Sequence, residues 1–333
     1  MRIMLGLLAA QPFYSILTGD TSLRQRPMER IIKPLTRMGA HIWSRQGGYA
    51  PLSIRGSSLS GIDYKLPVAS AQVKSAILLA GLYSDQRVKI VEPALSRDHT
   101  ERMLRGFGVN LKKVGNHITL LPENNRKLYP QEIMVPGDIS SAAFLITIGL
   151  ITIDSQILIK DVGINPTRTG FLEVVKKMGG KITLLNRREV NGEPIADIEV
   201  KSSQLHGIKI SGELIPKMID EIPITAVLAS QAAGVTVIKD AGELRVKETD
   251  RIKAIVSQLT HLGVDIEEQP DGMVIKGSNR VRGGIRVKSF GDHRIAMSLA
   301  VAGLVAEKEV TIINSDVINT SFPGFKETLF SLK

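Results

Sequence analysis

The sequence predicts an α/β protein of two lobes assembled from one repeated supersecondary unit, and three observations predict it. At 333 residues the chain exceeds one typical domain and fits two lobes of roughly 150 residues each. One order of elements recurs: an apolar helix of small residues, a short strand, a turn, a charged amphipathic helix, then glycine and another strand. The glycines that close the charged helices fall at Gly39, Gly108, Gly179 and Gly263, in steps of 69, 71 and 84 residues.

Taken in order, the apolar helices rich in Ala, Ser and Gly are predicted at residues 1–10, 70–82, 140–150, 222–233 and 293–305. A helix that is apolar all round is buried, and small side chains let it lie close to its neighbours, so these five are expected at the centres of the lobes. Short strands at residues 16–17, 88–91, 156–159, 235–238 and 310–313 follow them. The charged helices come next: SLRQRPMERIIKPLTRMGAHI from Ser22, SRDHTERMLRGFGVNL from Ser96, NPTRTGFLEVVKKMGGKI from Asn165 and RVKETDRIKAIVSQLTHLGVDI from Arg245. Each ends where a left-handed C-cap is easiest without a side chain. The pattern is open at both ends. Met1 falls inside an apolar helix with no capping residue before it, and the last helix, residues 323–332, lacks the strand that follows the other copies. About four and a half units are therefore expected, in a sequence that reads as cut at its N-terminus.

The stretch that points to chemistry is residues 214–262. Asp220 and Glu221 head an apolar run that continues as a small-residue helix through Thr225 and Ala229, with Gly234 expected to end it. Beyond the strand and a turn, Arg245, Lys247, Glu248, Asp250 and Arg251 are expected to crowd the first turn of the next helix. Acids suit the positive end of a helix dipole and three cations oppose it, so the stretch reads as a site that receives an anion. On charge pattern alone a solvated, capped helix start fits equally well. Other small-residue helices begin with Ser70, Gln72 and Lys74, with Asp138, Ser140 and Ser141, and with Asp292, His293 and Arg294. Helix starts facing one place would concentrate N–H donors and charge there.

Composition narrows the classes. With no cysteine, disulfides, thiolate metal sites and cysteine nucleophiles are excluded, and six scattered histidines show no zinc spacing, so no metal is expected. The balance of 43 Lys+Arg against 33 Asp+Glu, a net +10, favours anionic partners. Aromatics at 4%, with no basic run interleaved with stacking residues, argue against a nucleic-acid partner. The longest apolar stretches, such as residues 141–153, are too short and broken to span a bilayer, and the apolar start shows no convincing cleavage pattern, so a cytoplasmic protein is expected.

A resemblance rests on nine collinear motifs: LTGDTSLRQRPM (residues 17–28), PVASAQVKSAILLAGL (67–82), SRDHTERM (96–103), VPGDISSAAF (135–144), NPTRTG (165–170), IDEIP (219–223), LRVKETDRI (244–252), FGDHRIAM (290–297) and TSFPGF (320–325). Over residues 1–333 the chain resembles the 5-enolpyruvylshikimate-3-phosphate (EPSP) synthases, or 3-phosphoshikimate 1-carboxyvinyltransferases. The resemblance implies an enolpyruvyl transferase-like fold, with βαβαββ units around a pseudo-threefold axis in each lobe and substrates in the cleft between lobes. It implies a first lobe at residues 1–133, a second at 134–333 and a hinge near 132–137. The implied reaction moves the enolpyruvyl group of phosphoenolpyruvate to the 5-hydroxyl of shikimate 3-phosphate. Phosphate is released, in the shikimate pathway to chorismate and the aromatic amino acids. No cofactor is implied, because phosphoenolpyruvate already carries the activated group, and a monomer is expected.

The resemblance also implies roles at matching positions. Arg26 matches an arginine that binds phosphoenolpyruvate, suited by its bidentate fork, although a surface arginine at a helix start fits too. Ser70, Ala71 and Gln72 match the run that holds the 3-phosphate of shikimate, Gln72 also touching phosphoenolpyruvate, and Ala71 stands where many relatives have a second serine. Arg97 matches a further phosphate contact, with a solvated charge as the alternative. Asp220 matches the catalytic carboxylate near the shikimate hydroxyls, Lys247 the lysine on shikimate, and Glu248 the glutamate at the reacting carbon. Arg251, His293 and Arg294 match groups on the phosphoenolpyruvate side, and Thr320 replaces a lysine of some relatives.

The resemblance further implies an N-terminal lysine-serine motif and an Asn-x-Gly-Thr loop that would come directly before Met1, and the sequence as it stands holds neither of these segments. A chain beginning there is therefore expected to be weakly active or inactive. Two other readings stand beside this one: a fragment that keeps partial phosphate binding or misfolds, and a UDP-N-acetylglucosamine enolpyruvyl transferase, which typically carries a first-lobe cysteine that is absent here. A basic nucleic-acid-binding repeat protein ranks behind both.

Overall fold

The computed structural model describes residues 1–122, 127–278 and 280–332. The chain divides into two units, Met1–Met134 with Val190–Glu193, and Val135–Glu189 with Pro194–Lys333. In order it forms α1 (Arg2–Leu8), β1 (Tyr14–Leu17), α2 (Thr21–Arg24), α3 (Glu29–Arg37), β2 (His41–Arg45), β3 (Tyr49–Arg55), β4 (Asp63–Lys65), α4 (Ala71–Gly81), β5 (Val88–Val91), α5 (His99–Gly106), β6 (Leu111–Val114) and β7 (His117–Leu120). It continues with α6 (Ile139–Ile151), β8 (Gln156–Gly163), α7 (Gly170–Lys177), β9 (Lys181–Val190), β10 (Glu193–Lys201), β11 (Lys209–Ile210), α8 (Leu214–Met218), α9 (Ile222–Ser230), β12 (Gly234–Ile238), α10 (Arg251–His261), β13 (Asp265–Gln269), β14 (Gly272–Gly277), β15 (Arg286–Lys288), α11 (His293–Leu304), β16 (Thr311–Ile313) and α12 (Phe325–Ser331).

Repetition is visible in the sheets. In the first unit β4 lies parallel to β5, and β7 pairs antiparallel with both β5 and β6, in the order β4-β5-β7-β6. The second unit repeats order and directions in β11-β12-β14-β13. The sheets β1-β3-β2 and β8-β10-β9 are the same arrangement without the parallel edge strand, and at that edge of β8 the backbone of Gly137 bridges Val162 in parallel. Alternating residues face the core, as in β3, where Ala50, Leu52 and Ile54 are fully buried.

The small-residue helices are central, for the reason their composition implies. Every residue of α9 is buried, and α6, α9 and α11 pack on one another. In the first unit α1 packs on α4 so closely that a Cβ on Gly6 would stand 2.2 Å from the carbonyl oxygen of Ala76. The charged helices α3, α5, α7 and α10 all close in one way. Gly39, Gly108, Gly179 and Gly263 take φ between 86 and 108°. The next residue's N–H returns to the last turn: Ala40 to Leu35, Val109 to Leu104, Gly180 to Val175 and Val264 to Leu259, at 2.9 to 3.0 Å. This is the Schellman arrangement, in which a left-handed residue lets two orphan carbonyls find donors.

One expected boundary is corrected. Helix α9 stops at Ser230, and Gly234 opens β12 rather than ending the helix. The residues between leave the helix because Ala233 joins a parallel bridge to His206 and donates its N–H to the Leu205 carbonyl at 2.8 Å.

Two glycine substitutions should move stability in opposite directions. Gly263→Ala forces an L side chain to φ +87° and is expected to cost about 1–2 kcal/mol. Gly106→Ala, at the end of α5 where an added methyl meets open space, is expected to gain roughly 0.5 kcal/mol. Urea midpoints of both variants check the pair, and equal shifts would contradict the capping argument.

Candidate active site

In the second unit the starts of α9, α10 and α11 meet on one guanidinium. Arg251, the first residue of α10, is 1% exposed, and its three nitrogens reach three acids. Nε donates to Asp292 Oδ2 at 2.7 Å, Nη1 to Asp220 Oδ1 at 3.2 Å and Nη2 to Glu248 Oε2 at 2.7 Å. A planar fork can satisfy three separated carboxylates at once, which the point charge of a lysine cannot. Burial opposes the guanidinium charge, but Asp292, Glu248 and Asp220 outweigh it, and its pKa is raised above the ordinary arginine value. Lys247 adds a second cation, with Nζ 3.7 Å from Asp220 Oδ1.

This geometry corrects the expected placement of the charges. Arg245 lies in a 3-10 turn, Gly242–Val246, Lys247 caps that turn, and α10 begins only at Arg251 behind Asp250, whose carboxylate accepts the Lys253 N–H at 3.0 Å. The turn forms because Leu244 is fully buried and Arg245 donates to the Pro270 and Gln269 carbonyls at 2.7 and 2.8 Å. Arg245 also pairs with Asp250 and Glu268, at 2.7 and 2.9 Å, so it is tied down structurally.

A second polar cluster joins α6 to α9 and α11. Arg294 Nη1 donates to the Asp220 carbonyl at 3.2 Å and lies 3.9 Å from Glu221 Oε1. Glu221, 2% exposed, also accepts a hydrogen bond from Ser140 Oγ at the start of α6. Burial pushes the Glu221 carboxyl up, against the pull of Arg294 and the Ser140 hydrogen bond. Arg168 completes the cluster, donating to Asp138 Oδ1 at 3.0 Å and to Ser140 Oγ at 2.7 Å. His293, at the start of α11, is held below the usual histidine range chiefly by burial, with Arg294 and Arg251 assisting and Asp292 and Glu248 opposing. It is therefore neutral near pH 7.

The expectation that these helix starts offer backbone donors is also corrected. Asp138 accepts the Ser140 N–H at 3.2 Å, and Asp292 accepts those of Arg294 and Ile295 at 2.8 and 3.3 Å. Helices α6 and α11 thus cap their own starts, while α9 has no side-chain cap, and the positive charge at these starts comes from side chains.

In the first unit Ser70 caps α4, its Oγ accepting the Val73 N–H at 3.4 Å, with Ala71 and exposed Gln72 following. Gln72 Oε1 accepts from Arg2 Nη1 at 2.8 Å. Arg26 precedes α3 and Arg97 precedes α5, both half-buried. Lys74, grouped with these residues on sequence, is instead fully buried, 3.1 Å from Glu92 Oε2 and 2.7 Å from Glu101 Oε1. Thr320 is exposed at the end of a 3-10 turn, Ser315–Thr320, outside both second-unit clusters. Sequence reasoning assigned no role to Arg2 or Arg168. Arg2 was visible as the only charge in an apolar helix, and Arg168 stands inside the NPTRTG motif. Among the described residues no group of three or more His, Asp or Glu is arranged to hold a metal, and no helix is long and apolar enough to cross a membrane.

Three small-residue helices whose starts gather arginines and carboxylates, on sheets that repeat one topology, define the class. NikO, an enolpyruvyl transferase of Streptomyces tendae, superposes with TM-score 0.79 over 99% of this chain and 75% of its own, at 17% identity, a likeness of fold alone. EPSP synthase from Acinetobacter baumannii superposes with TM-score 0.90 at 46% identity, over 99% of this chain and 76% of its own. The 3-phosphoshikimate 1-carboxyvinyltransferases of Brevibacillus brevis and Desulforudis audaxviator are each 54% identical over the whole chain, which spans 78% and 77% of their lengths. The EPSP synthase (3-phosphoshikimate 1-carboxyvinyltransferase) family model matches residues 1–329, and the chain belongs to that family.

Glu221 generates a pH prediction. A carboxyl whose folded pKa is raised stabilises the fold fully below the unfolded value near 4.5, and that contribution is lost as pH rises through the folded pKa. Glu221→Gln lacks this loss, so its urea midpoint is expected to gain on wild type as pH rises above about 4.5. Parallel pH curves for the two proteins would contradict the assignment.

Proposed function

We propose that this chain transfers the enolpyruvyl group of phosphoenolpyruvate to the 5-hydroxyl of shikimate 3-phosphate, and that the second-unit cluster carries the proton transfers. The observation that carries the reading is that Asp220 and Glu248 share one buried guanidinium, at 3.2 and 2.7 Å, with Lys247 against Asp220. Two carboxylates fixed on one cation can serve two proton transfers on neighbouring atoms of one reaction. Family membership supplies the substrates.

In this reading Asp220 takes the proton of the 5-hydroxyl as its oxygen bonds to C2 of phosphoenolpyruvate, and Glu248, protonated from solvent once it has left Arg251, protonates the methylene carbon. The tetrahedral adduct then breaks its C2–O bond to phosphate, which leaves with the proton held by Asp220, and the methyl group returns a proton to Glu248, leaving the enol ether. Arg294 and Arg251 receive the anions of phosphoenolpyruvate. Of the three acids on Arg251, Glu248 is the most exposed, its side chain at 29% against 16% for Asp220 and 0% for Asp292. Glu248 is therefore the one an arriving carboxylate displaces, which frees it to reach carbon. Neutral His293 donates a hydrogen bond without adding charge, and Lys247 steadies the shikimate hydroxyls. In the first unit Ser70, Gln72 and Arg97 hold the 3-phosphate, with Ala71 contributing only backbone, and Arg26 and Gln72 contact phosphoenolpyruvate. The reading takes the protein as a cytoplasmic monomer with small-molecule partners and neither nucleic acid nor membrane.

Calorimetry with shikimate 3-phosphate, followed by phosphoenolpyruvate, tests binding, and phosphate release tests turnover. Asp220→Asn and Glu248→Gln are each expected to lower turnover by about 100-fold or more while shikimate 3-phosphate binding persists. Turnover with UDP-N-acetylglucosamine in place of shikimate 3-phosphate, or no uptake of either substrate, would overturn the reading.

A further inference from the structure

The first unit holds a buried charge network that the reaction does not use. Lys74 Nζ, with a fully buried side chain, sits between two equally buried carboxylates, Glu92 at 3.1 Å and Glu101 at 2.7 Å. Lys113 Nζ lies 3.8 Å from Glu101 and 3.7 Å from Asp98. Charges this far from water cost several kcal/mol each unless paired, and apolar packing of the same volume would hold the fold as well. The contacts of this network point to a role beyond stability.

It touches both segments proposed to hold the 3-phosphate. Lys74 lies one turn along α4 from Ser70, its N–H donating to the Ser70 carbonyl at 3.1 Å. On its other side it grips the loop that carries Arg97. Nζ lies 3.5 Å from the Ser96 carbonyl, and Ser96 Oγ donates to Glu92. Glu92 is fixed in turn by Asn116, whose side chain donates to the Glu92 carbonyl at 2.7 Å and whose carbonyl accepts the Glu92 N–H at 3.0 Å. The residue after Arg97 is held as well, Asp98 accepting from Arg102 Nε at 2.9 Å. Arg97 thus stands between two anchored neighbours, and the anchor on the Ser96 side runs through Lys74 to the helix of Ser70.

We propose that Lys74, with Glu92 and Ser96, is a positioning assembly that fixes the spacing between the Ser70–Gln72 turn and Arg97, and so sets the affinity for the phosphate of shikimate 3-phosphate. The proposal rests on the functional reading above. It separates two carboxylates that a purely structural role treats alike: both pair with Lys74, but Glu92 holds the Arg97 loop directly, through the Ser96 hydroxyl, whereas Glu101 reaches it through Lys113 and Asp98.

The test is calorimetric titration of shikimate 3-phosphate into the full chain and its variants, with urea midpoints measured alongside. Ser96→Ala, at a half-buried position, and Glu92→Gln are each expected to weaken binding about tenfold. Ser96→Thr, which keeps the hydroxyl, is expected to restore most of it. Glu101→Gln is expected to weaken binding markedly less than Glu92→Gln at a comparable loss of stability. Wild-type affinity in Ser96→Ala, or equal losses for the two glutamine variants in proportion to stability, would overturn the proposal. A wild-type chain that takes up no shikimate 3-phosphate would instead remove the functional reading beneath it.

Discussion

The buried guanidinium of Arg251 is the constraint on which the second unit's chemistry depends. Its three acids come from three places in the chain, Asp220 before α9, Glu248 before α10 and Asp292 before α11. Of the three, Asp292 is fully buried, and removing such a partner costs about 3–5 kcal/mol, because a charge is left without compensation. Three helix starts far apart in sequence are thus held in register by one side chain. Catalytic groups held within a fraction of an ångström need that kind of support.

That register is reachable because the helices are made of small residues. Close approach of α6, α9 and α11 brings their first turns within side-chain reach, so Ser140, Glu221 and Arg294 can touch although each lies on a different helix. The amphipathic helices outside this centre are closed by local hydrogen bonds at their glycines and make few demands on the rest of the fold. Precision is concentrated at one end of the central helices, and the remaining ends are finished locally.

The parts of this plan that were legible in the sequence are those that depend on near neighbours. The four closing glycines and the five small-residue helices rest on contacts within a turn or two, and each stands where local rules put it. What escaped depends on distant partners. The 3-10 turn at Gly242–Val246 exists because Leu244 finds the core and Arg245 finds carbonyls on the following hairpin, and neither is visible from a charge pattern that also suits a helix. Lys74 reads as a polar helix-start residue until Glu92, just after β5, and Glu101, in α5, arrive to pair with it in the core. Arg2 and Arg168 gain their meaning from Gln72 and Ser140, which are 70 and 28 residues away.

The self-capping of α6 and α11 has an evolutionary consequence. A pocket that grips anions with main-chain amides is indifferent to the identity of its own side chains and resists change by point substitution. Here Asp138 and Asp292 take up first-turn amides of α6 and α11, and the cations beside them, Arg294, Arg251 and Lys247, are side chains. Positive charge at these helix starts is thus set residue by residue, and a single codon change can alter it while the scaffold stays untouched.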